Sequence, residues 1–248
     1  DLIVAGRGSD RIDGGSDTDT VSYQVSTAGV RVNLNVTTQS GGFAEGDRLI
    51  SIDNVTGSGF ADTITGSDAG NVLSLLDGSD TAFAGGGNDD VYGGDGSDAI
   101  YGGSGLDRLY GGDQNDRLFG ANADSMLGLD EDDLMFGDSG NDSMDGGSGN
   151  DAMYGGTEND VMTGGAGRDV VDGGSGDNLV RATSDDLLSG GLGTDTIDFS
   201  GLSIAFTTSV HTIDLGAGTY RLVTPAGSLN ATSFNGFERM IGTSQLDD

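Results

Sequence analysis

The stretch GGDGSDAIYGGSGLDRLY, from Gly93 to Tyr110, contains one nine-residue phrase written twice. In each copy glycine stands at places one, two and four, aspartate at place six, a bulky apolar residue at place eight and tyrosine at place nine. Glycines at this density permit the positive-φ conformations of a tight turn. Residues at places seven to nine alternate as in a short strand, with place eight on one side and its neighbours on the other. Each phrase is therefore expected to form one turn and one strand.

The phrase recurs in frame over most of the chain. Residues 84–198 contain it almost continuously, apart from two eight-residue units at 120–127 and 182–189. Degenerate copies occupy 57–83, and partial copies occupy 1–21. Because a repeat of this period marks a solenoid, we expect 84–198 to be its main body.

Two segments interrupt the period. Residues 22–56 and 199–248 are richer in β-branched and aromatic residues, with alternations such as VRVNL from Val30 to Leu34. They are expected to be strand-rich flanking or capping elements. The first and last repeats stop within a phrase, so the chain is expected to belong to a longer polypeptide.

Two phrases make one coil of 18 residues. Successive coils are expected to stack into an all-β fold, a flattened right-handed parallel β-roll. The place-eight side chains would form a thin core that no single repeat can hold alone. These core candidates are Val91, Ile100, Leu109, Leu118, Met135, Met144, Met153, Met162 and Val171.

The composition requires a partner for the carboxylates. The chain has 41 acidic and 10 basic residues, a net charge of −31, and only 34% hydrophobic residues. Such a chain cannot easily bury enough apolar surface to fold unaided. Repulsion of phosphate excludes nucleic acid as a main partner and disfavours an anionic membrane surface. A cation is the partner that this charge predicts.

Calcium fits the phrase best among the common cations. Residues 18 apart lie on the same edge of the roll, about 4.8 Å apart in adjacent coils, so bare carboxylates there would repel each other. Calcium takes about six to eight oxygen ligands from carboxylates and backbone carbonyls, whereas magnesium requires stricter octahedral geometry. Only four of the acids are glutamate. The short aspartate side chain can reach an ion from within a tight turn, which explains this bias.

The phrase GGxGxDxUx resembles the RTX (repeats-in-toxin) calcium-binding nonapeptides of secreted bacterial proteins. The units that begin at Gly93, Gly102, Gly146 and Gly164 are among those that match it fully. The resemblance covers 84–198 well. It implies a parallel β-roll, calcium-dependent folding and export by a type I secretion system.

The candidate metal ligands are the place-six aspartates and the glycines of the turns. Asn71 and Asn178 replace the aspartate, and Gln114 and Glu158 replace the fourth glycine, so weaker binding is expected in those turns. We expect about five to eight calcium ions. The candidate ligands are Asp10, Asp19, Asp80, Asp89, Gly94, Gly96, Asp98, Gly103, Gly105, Asp107, Gly112, Asp116, Asp124, Asp133, Asp142, Gly147, Gly149, Asp151, Gly156, Asp160, Gly165, Gly167, Asp169, Asp186 and Asp195.

No catalytic motif accompanies the repeats. The sequence contains neither HExxH nor GxSxG, and His211 is its only histidine. Carboxylates that recur identically in each coil do not supply the two distinct environments that an acid and a base need. We therefore expect no enzyme activity. The absence of cysteine excludes disulfides, and no apolar run is long enough to span a membrane.

The favoured interpretation is a calcium-binding β-roll region of a larger secreted bacterial protein, located outside the cell or on its surface. Two alternatives stay open. The chain could be a surface adhesin, S-layer or polysaccharide-binding module, with the place-nine aromatic residues or the arginines Arg108, Arg117 and Arg168 contacting a glycan or another cell-surface partner. It could also be a non-catalytic accessory domain of a secreted protease, lipase or epimerase. The aromatic residues have a simpler explanation, which is that they stack on one another and stabilise the sheets.

Overall fold

The computed structural model describes residues 1–121, 132–181 and 186–198, together with Phe237 and the backbone of five short strands after residue 209. These residues form an almost purely β structure, with one 3-10 turn at Gly42–Ala44. The chain divides into two compact units, Asp1–Leu127 and Gly128–Asp248. In the described parts, no helix is both long and apolar enough to cross a membrane.

The first unit is a parallel β-solenoid built from two main sheets. One sheet has the order β1-β3-β6-β8-β10-β12, and the other has the order β4-β7-β9-β11-β13. Strands β2 and β5 pair separately. The strands are β1 (Leu2–Val4), β2 (Arg11–Asp13), β3 (Thr20–Ser22), β4 (Arg31–Asn33), β5 (Arg48–Ile50), β6 (Asn54–Thr56), β7 (Thr63–Thr65), β8 (Val72–Asp77), β9 (Thr81–Gly86), β10 (Asp90–Asp95), β11 (Ala99–Ser104), β12 (Arg108–Asp113) and β13 (Arg117–Ala121).

The second unit repeats this arrangement and adds antiparallel strands. One sheet has the order β14-β16-β18-β20-β25-β23-β22, with β24 beside β23, and the other has the order β15-β17-β19-β21-β26. Strands β22, β23 and β24 pair antiparallel. The strands are β14 (Leu134–Ser139), β15 (Ser143–Ser148), β16 (Ala152–Thr157), β17 (Val161–Ala166), β18 (Val170–Ser175), β19 (Leu179–Arg181), β20 (Leu187–Ser189), β21 (Thr196–Asp198), β22 (Val210–Asp214), β23 (Thr219–Thr224), β24 (Gly227–Leu229), β25 (Ser233–Asn235) and β26 (Arg239–Ile241).

The predicted fold class is confirmed, and so is the 18-residue register. Val91 pairs with Leu109, Ile100 with Leu118, and Met153 with Val171, each in parallel strands. All nine place-eight residues predicted for the core are at most 2% exposed. Each coil therefore contributes one apolar side chain from each sheet to a core only two side chains wide.

The strands are longer than the phrase predicts. In the regular coils they run six residues, from place seven through place three of the next phrase, as in β11 (AIYGGS). Burial alternates along them, so the place-one glycine points inward beside the place-eight side chain. Ladder hydrogen bonds continue through the glycines because the parallel neighbours have the same backbone shape. The turn is thus confined to places four to six.

Aromatic residues at place nine stack along the sheets. Phe83, Tyr101 and Phe119 form one stack in the first unit, with ring centroids 4.9 Å apart and interplanar angles of 9° and 8°. Tyr92 and Tyr110 form a second stack with the same spacing. In the second unit Phe136 stacks on Tyr154 at 5.1 Å. The ring faces are covered by one another, which supports the sheet-stabilising interpretation.

Candidate metal-binding turns

Each regular turn places an aspartate at its inner end, directly before a strand. Asp98 precedes β11 and is 2% exposed, and Asp151 precedes β16 and is 1% exposed. The turn is tight, so the short side chain folds back beneath its own glycines. A carboxylate buried in this way is costly unless its oxygens are paired.

One oxygen of each carboxylate is paired by the neighbouring coil. The N–H of the place-six residue donates to Oδ1 of the place-six residue one coil later, at 2.8 Å from Asp80 to Asp98 and 2.9 Å from Asp133 to Asp151. The ladder continues across the eight-residue unit at 182–189, where Asp169 donates to Asp186 at 3.2 Å. These hydrogen bonds set the predicted aspartates in columns. Further donor–acceptor pairs are Asp62–Asp80, Asn71–Asp89, Asp89–Asp107, Asp98–Asp116, Asp142–Asp160, Asp151–Asp169, Asp160–Asn178 and Asn178–Asp195.

The second oxygen has no protein partner in many turns. A buried carboxylate oxygen without a hydrogen bond costs about 1–3 kcal/mol, and more when it is charged. Such repeated unpaired atoms are unusual in a folded protein and point to a missing positive partner. The Oδ2 atoms concerned include those of Asp19, Asp80, Asp89, Asp98, Asp151, Asp160 and Asp169.

In the phrases that begin with glycine, the space beside Oδ2 is kept open by that place-one glycine. A Cβ on Gly93 would lie 2.5 Å from Asp98 Oδ2 and 2.2 Å from the carbonyl oxygen of Gly111 in the next coil. The same point at Gly146 lies 2.4 Å from Asp151 Oδ2 and 2.5 Å from a carbonyl oxygen of the next coil. Two electron-rich oxygens therefore face one small space, which suits a cation.

Carbonyl groups at places two and four also point along the roll. A Cβ on Gly112 would meet the Gly94 carbonyl oxygen at 2.2 Å, and one on Gly167 would meet the Gly149 carbonyl oxygen at 1.6 Å. Both glycines have positive φ, of 105° and 141°. Glycine is therefore required there for backbone conformation and for space. All ten predicted glycines have positive φ: Gly94, Gly96, Gly103, Gly105, Gly112, Gly147, Gly149, Gly156, Gly165 and Gly167.

Non-glycine residues at these places keep the same conformation. Gln114 and Glu158 at place four have φ of 81° and 76°, and Leu76 and Asp138 at place two have φ of 80° and 70°. A side chain in this region costs roughly 1 kcal/mol. The coil geometry therefore outweighs the local preference of the residue.

Burial also changes how readily the aspartates ionise. It raises the pKa of Asp80, Asp151 and Asp160 to about 7, and neighbouring carboxylates add to the rise. It raises the pKa of Asp89 and Asp169 to about 6. Desolvation disfavours the charged form in each case, and a cation within the turn would reverse that effect.

The donor set fits a hard cation that accepts backbone oxygens. Within the described ranges, no three Asp, Glu or His side chains gather in one place as a side-chain cage would require. Each turn instead offers a carboxylate oxygen and several carbonyl oxygens from two coils. Calcium accepts such mixed oxygen ligands in flexible geometry, at about 2.3–2.6 Å.

These features define a metal-binding β-solenoid. The family model for the RTX calcium-binding nonapeptide repeat (four copies) matches residues 1–23, 51–82, 65–100, 92–124, 120–153, 145–180 and 182–201. The matches cover well over half of the chain, which therefore belongs to the RTX repeat family. Repeats of this family bind calcium and generally act as non-catalytic structural modules, in proteins that are typically exported by type I secretion. No individual curated protein matches the chain significantly.

Two predicted ligands stand apart from the columns. Asp10 is exposed, and its N–H rather than its carboxylate takes part in the ladder, donating to Asp47 Oδ1 at 2.7 Å. Asp124 lies outside the described residues. The other predicted aspartates are buried, each at most 5% exposed.

The structure adds three aspartates to those that accept N–H groups from neighbouring coils. The sequence analysis did not single out these residues, which are Asp47, Asp53 and Asp62. Asp62 Oδ1 accepts the Val30 N–H at 2.7 Å, and Asp53 Oδ2 accepts the Asp19 N–H at 2.8 Å. Asp47 and Asp62 occupy place six of the degenerate phrases GFAEGDRLI and GSGFADTIT, a signal that was available in the sequence. Asp53 lies within the shortened six-residue unit SIDNVT, residues 51–56, which hides it from the nine-residue frame.

Proposed function

We propose that this chain is the calcium-binding β-roll region of a larger secreted protein, and that it folds on binding calcium after export. Calcium enters the turns between successive coils, with the buried place-six aspartates and the turn carbonyls as ligands. The main metal-binding region is 84–198, and 22–56 and 199–248 are flanking elements. The number of ions is about five to eight.

One observation carries this proposal, the row of buried Oδ2 atoms without hydrogen-bond partners. At Asp98, Asp151 and Asp160 this atom faces a carbonyl oxygen of the next coil across a space that the place-one glycine leaves open. Without a cation the net charge of −31 opposes compaction. With calcium, the binding free energy becomes folding free energy. Extracellular modules bind near 10⁻⁴–10⁻³ M, so the low calcium inside a cell would leave the main roll unfolded.

The role of the chain is structural, with no chemistry of its own. The place-six aspartates share one environment repeated from coil to coil, which suits ligation rather than acid–base catalysis. The stacked aromatic rings cover one another's faces, so they present only edges and small end faces to a sugar. Arg108 is paired with Asp90 at 3.1 Å on the surface. Glycan recognition therefore has less support than calcium-driven folding.

A calcium titration of the whole chain tests the proposal. Far-UV circular dichroism should report a cooperative gain of strand structure, and isothermal calorimetry should report several ions bound in the high-micromolar to millimolar range. Magnesium at the same concentration should give a smaller change, and EGTA should reverse the effect of calcium. Strand content that is the same in EGTA and in calcium, with no heat of binding, would contradict the proposal.

A further inference from the structure

Some place-six positions have both polar atoms of the side chain satisfied by protein groups. We call these closed turns, and we call a turn open when the place-six Oδ2 is buried and has no hydrogen-bond partner. Three closed turns lie in the first unit, at Asp47, Asp62 and Asn71. The difference between open and closed turns determines where a cation is needed.

Asp62 is closed by its own turn. Its Oδ2 accepts the Ser58 N–H at 2.6 Å, and its Oδ1 accepts the Ser58 hydroxyl at 2.7 Å as well as the Val30 N–H. Burial raises the pKa of Asp62, and hydrogen bonds from Ser58 and Val30 act against the rise. Protein donors thus occupy the positions where an ion would contact an open turn.

Asn71 is closed by an amide that replaces the cation. Its Oδ1 accepts the Ser67 N–H at 2.7 Å, and its Nδ2 donates to the Asp53 carbonyl oxygen at 2.6 Å. A carboxylate at this position would place an oxygen against that carbonyl oxygen, and the two would repel each other. The amide converts that repulsion into a hydrogen bond without a metal.

The φ angle at place two distinguishes the closed turns of Asp62 and Asn71 from the open turns. Place two has positive φ in the open turns, as at Gly94 (106°), Gly147 (97°) and even Leu76 (80°). Ser58 and Ser67 stand at place two and do not have positive φ. Their N–H groups instead donate to the place-six side chain. Serine at place two is therefore a sequence signal that these two closed turns share.

Asp47 is closed by a side chain that is distant in sequence, that of Tyr23, which directly follows β3. The Tyr23 hydroxyl donates to Asp47 Oδ2 at 3.1 Å, and both residues are 0% exposed. Burial raises the pKa of Tyr23, so the hydroxyl keeps its proton and remains a donor. The Asp10 N–H completes the site at Oδ1.

The closed turns fall in one continuous segment, residues 20–77, which runs from β3 to β8. No buried side-chain polar atom in this segment lacks a partner, whereas such atoms occur at Asp19 before it and at Asp80 after it. The segment also has its own apolar core, which includes Val21, Val32 and Ile64, each at most 1% exposed. It therefore contains none of the unpaired buried carboxylate oxygens that the open turns carry.

We propose that residues 20–77 fold without calcium and act as a template on which the calcium-dependent coils assemble. The inference rests on the proposed function, because it divides the same repeats into those that need calcium and those that do not. In a solenoid each coil contacts only its neighbours, so growth from a preformed end avoids the cost of nucleating the first coil. Tyr23, Ser58 and Asn71 exclude calcium from their turns by taking its place.

Hydrogen exchange of the full chain, read by mass spectrometry in EGTA and in calcium, tests this division. In EGTA the amides of 20–77 should be protected while those of 80–118 exchange freely, and calcium should protect both segments. Loss of protection over 20–77 in EGTA, regained only with calcium, would overturn the inference while the proposed function stands. Protection of the whole chain in EGTA, unchanged by calcium, would overturn both.

The variant Asn71→Asp tests the role of the amide. It places a carboxylate oxygen against the Asp53 carbonyl oxygen, so 20–77 should lose protection in EGTA, regain it in calcium, and bind one more ion. Asn178→Asp is the matched control. Asn178 Nδ2 donates to the Gly190 carbonyl oxygen at 3.2 Å in the second unit, so its replacement should add one ion and leave 20–77 protected in EGTA. An Asn71→Asp chain that keeps its protection in EGTA and binds no additional ion would contradict the proposal.

Discussion

The substitution Asp151→Asn should have opposite effects on stability in EGTA and in calcium. Asp151 is 1% exposed, its Oδ1 accepts the Asp133 N–H, and its Oδ2 has no hydrogen-bond partner. Asparagine retains the Oδ1 acceptor and replaces Oδ2 with an amide. That amide would face the Gly164 carbonyl oxygen, as the Asn178 amide faces the Gly190 carbonyl oxygen.

The size of the effect follows from the ionisation of the carboxylate. Burial raises the pKa of Asp151 from 3.8 to about 7. Since one pKa unit corresponds to about 1.4 kcal/mol, keeping the charge at pH 8 without a metal costs up to about 4 kcal/mol. The variant avoids this cost in EGTA and should be more stable there. In calcium it loses a charged ligand and should be less stable.

Circular dichroism of the whole chain can measure both changes in stability, the gain in EGTA and the loss in calcium. Titration with trimethylamine N-oxide in EGTA at pH 8 favours compact states, and Asp151→Asn should lower the midpoint of folding. In a calcium titration the same variant should raise the midpoint. Asp95→Asn is the control, because Asp95 is exposed and its loss should shift both midpoints little. A change of the same sign in both titrations would refute the assignment of the Asp151 turn to calcium.

Three further outcomes are expected. In EGTA, acidification from pH 8 to pH 5 should increase the strand structure seen by circular dichroism. The raised pKa values make the folded roll bind more protons than the unfolded chain, so the stability of the roll falls as pH rises through about 6–7. The midpoint of the calcium titration should rise over the same acidification, because protons compete with calcium for the carboxylates. No pH dependence in EGTA would count against buried, unpaired carboxylates. Gly112→Ala should destabilise the calcium form by about 1–3 kcal/mol in urea unfolding, since its Cβ would meet the Gly94 carbonyl oxygen at positive φ. Gly6→Ala, which meets nothing within 4 Å, should cost less than about 0.5 kcal/mol, and equal effects would argue against the close approach. Met153→Ala should cost about 2–5 kcal/mol in the same assay because Met153 is 0% exposed, and a cost under about 1 kcal/mol would mean that the thin core is not tightly packed.

The regular coils were predictable from the sequence because their contacts repeat with the chain. A period of nine residues sets each place-eight side chain above another and each place-six aspartate 18 residues from the next. Residues that recur at one spacing experience one environment, so the core and the columns of carboxylates follow from local pattern and elementary chemistry. The positive-φ turns follow in the same way from the density of glycine.

The contacts in residues 22–56 were not predictable in this way. Strands of this segment pair with strands that precede it. Arg48 lies opposite Arg11 and Asn54 lies opposite Thr20, across intervals that no fixed period describes. Propensity predicted strands in this segment, but the partners of those strands depend on how the loops between them close. Only the folded chain brings Tyr23 against Asp47, 24 residues away.

The sequence by itself therefore determined the coil, its core and the row of carboxylates, because all three depend on residues at a constant spacing. The tertiary structure decided which of those carboxylates have both oxygens paired by protein donors. That decision depends on whether a hydrogen-bond donor reaches Oδ2. The donor is a backbone N–H at Ser58, a hydroxyl at Tyr23 and absent at Asp98. The positions of these donors are set by φ angles and long-range packing, and a repeat pattern in the sequence predicts neither.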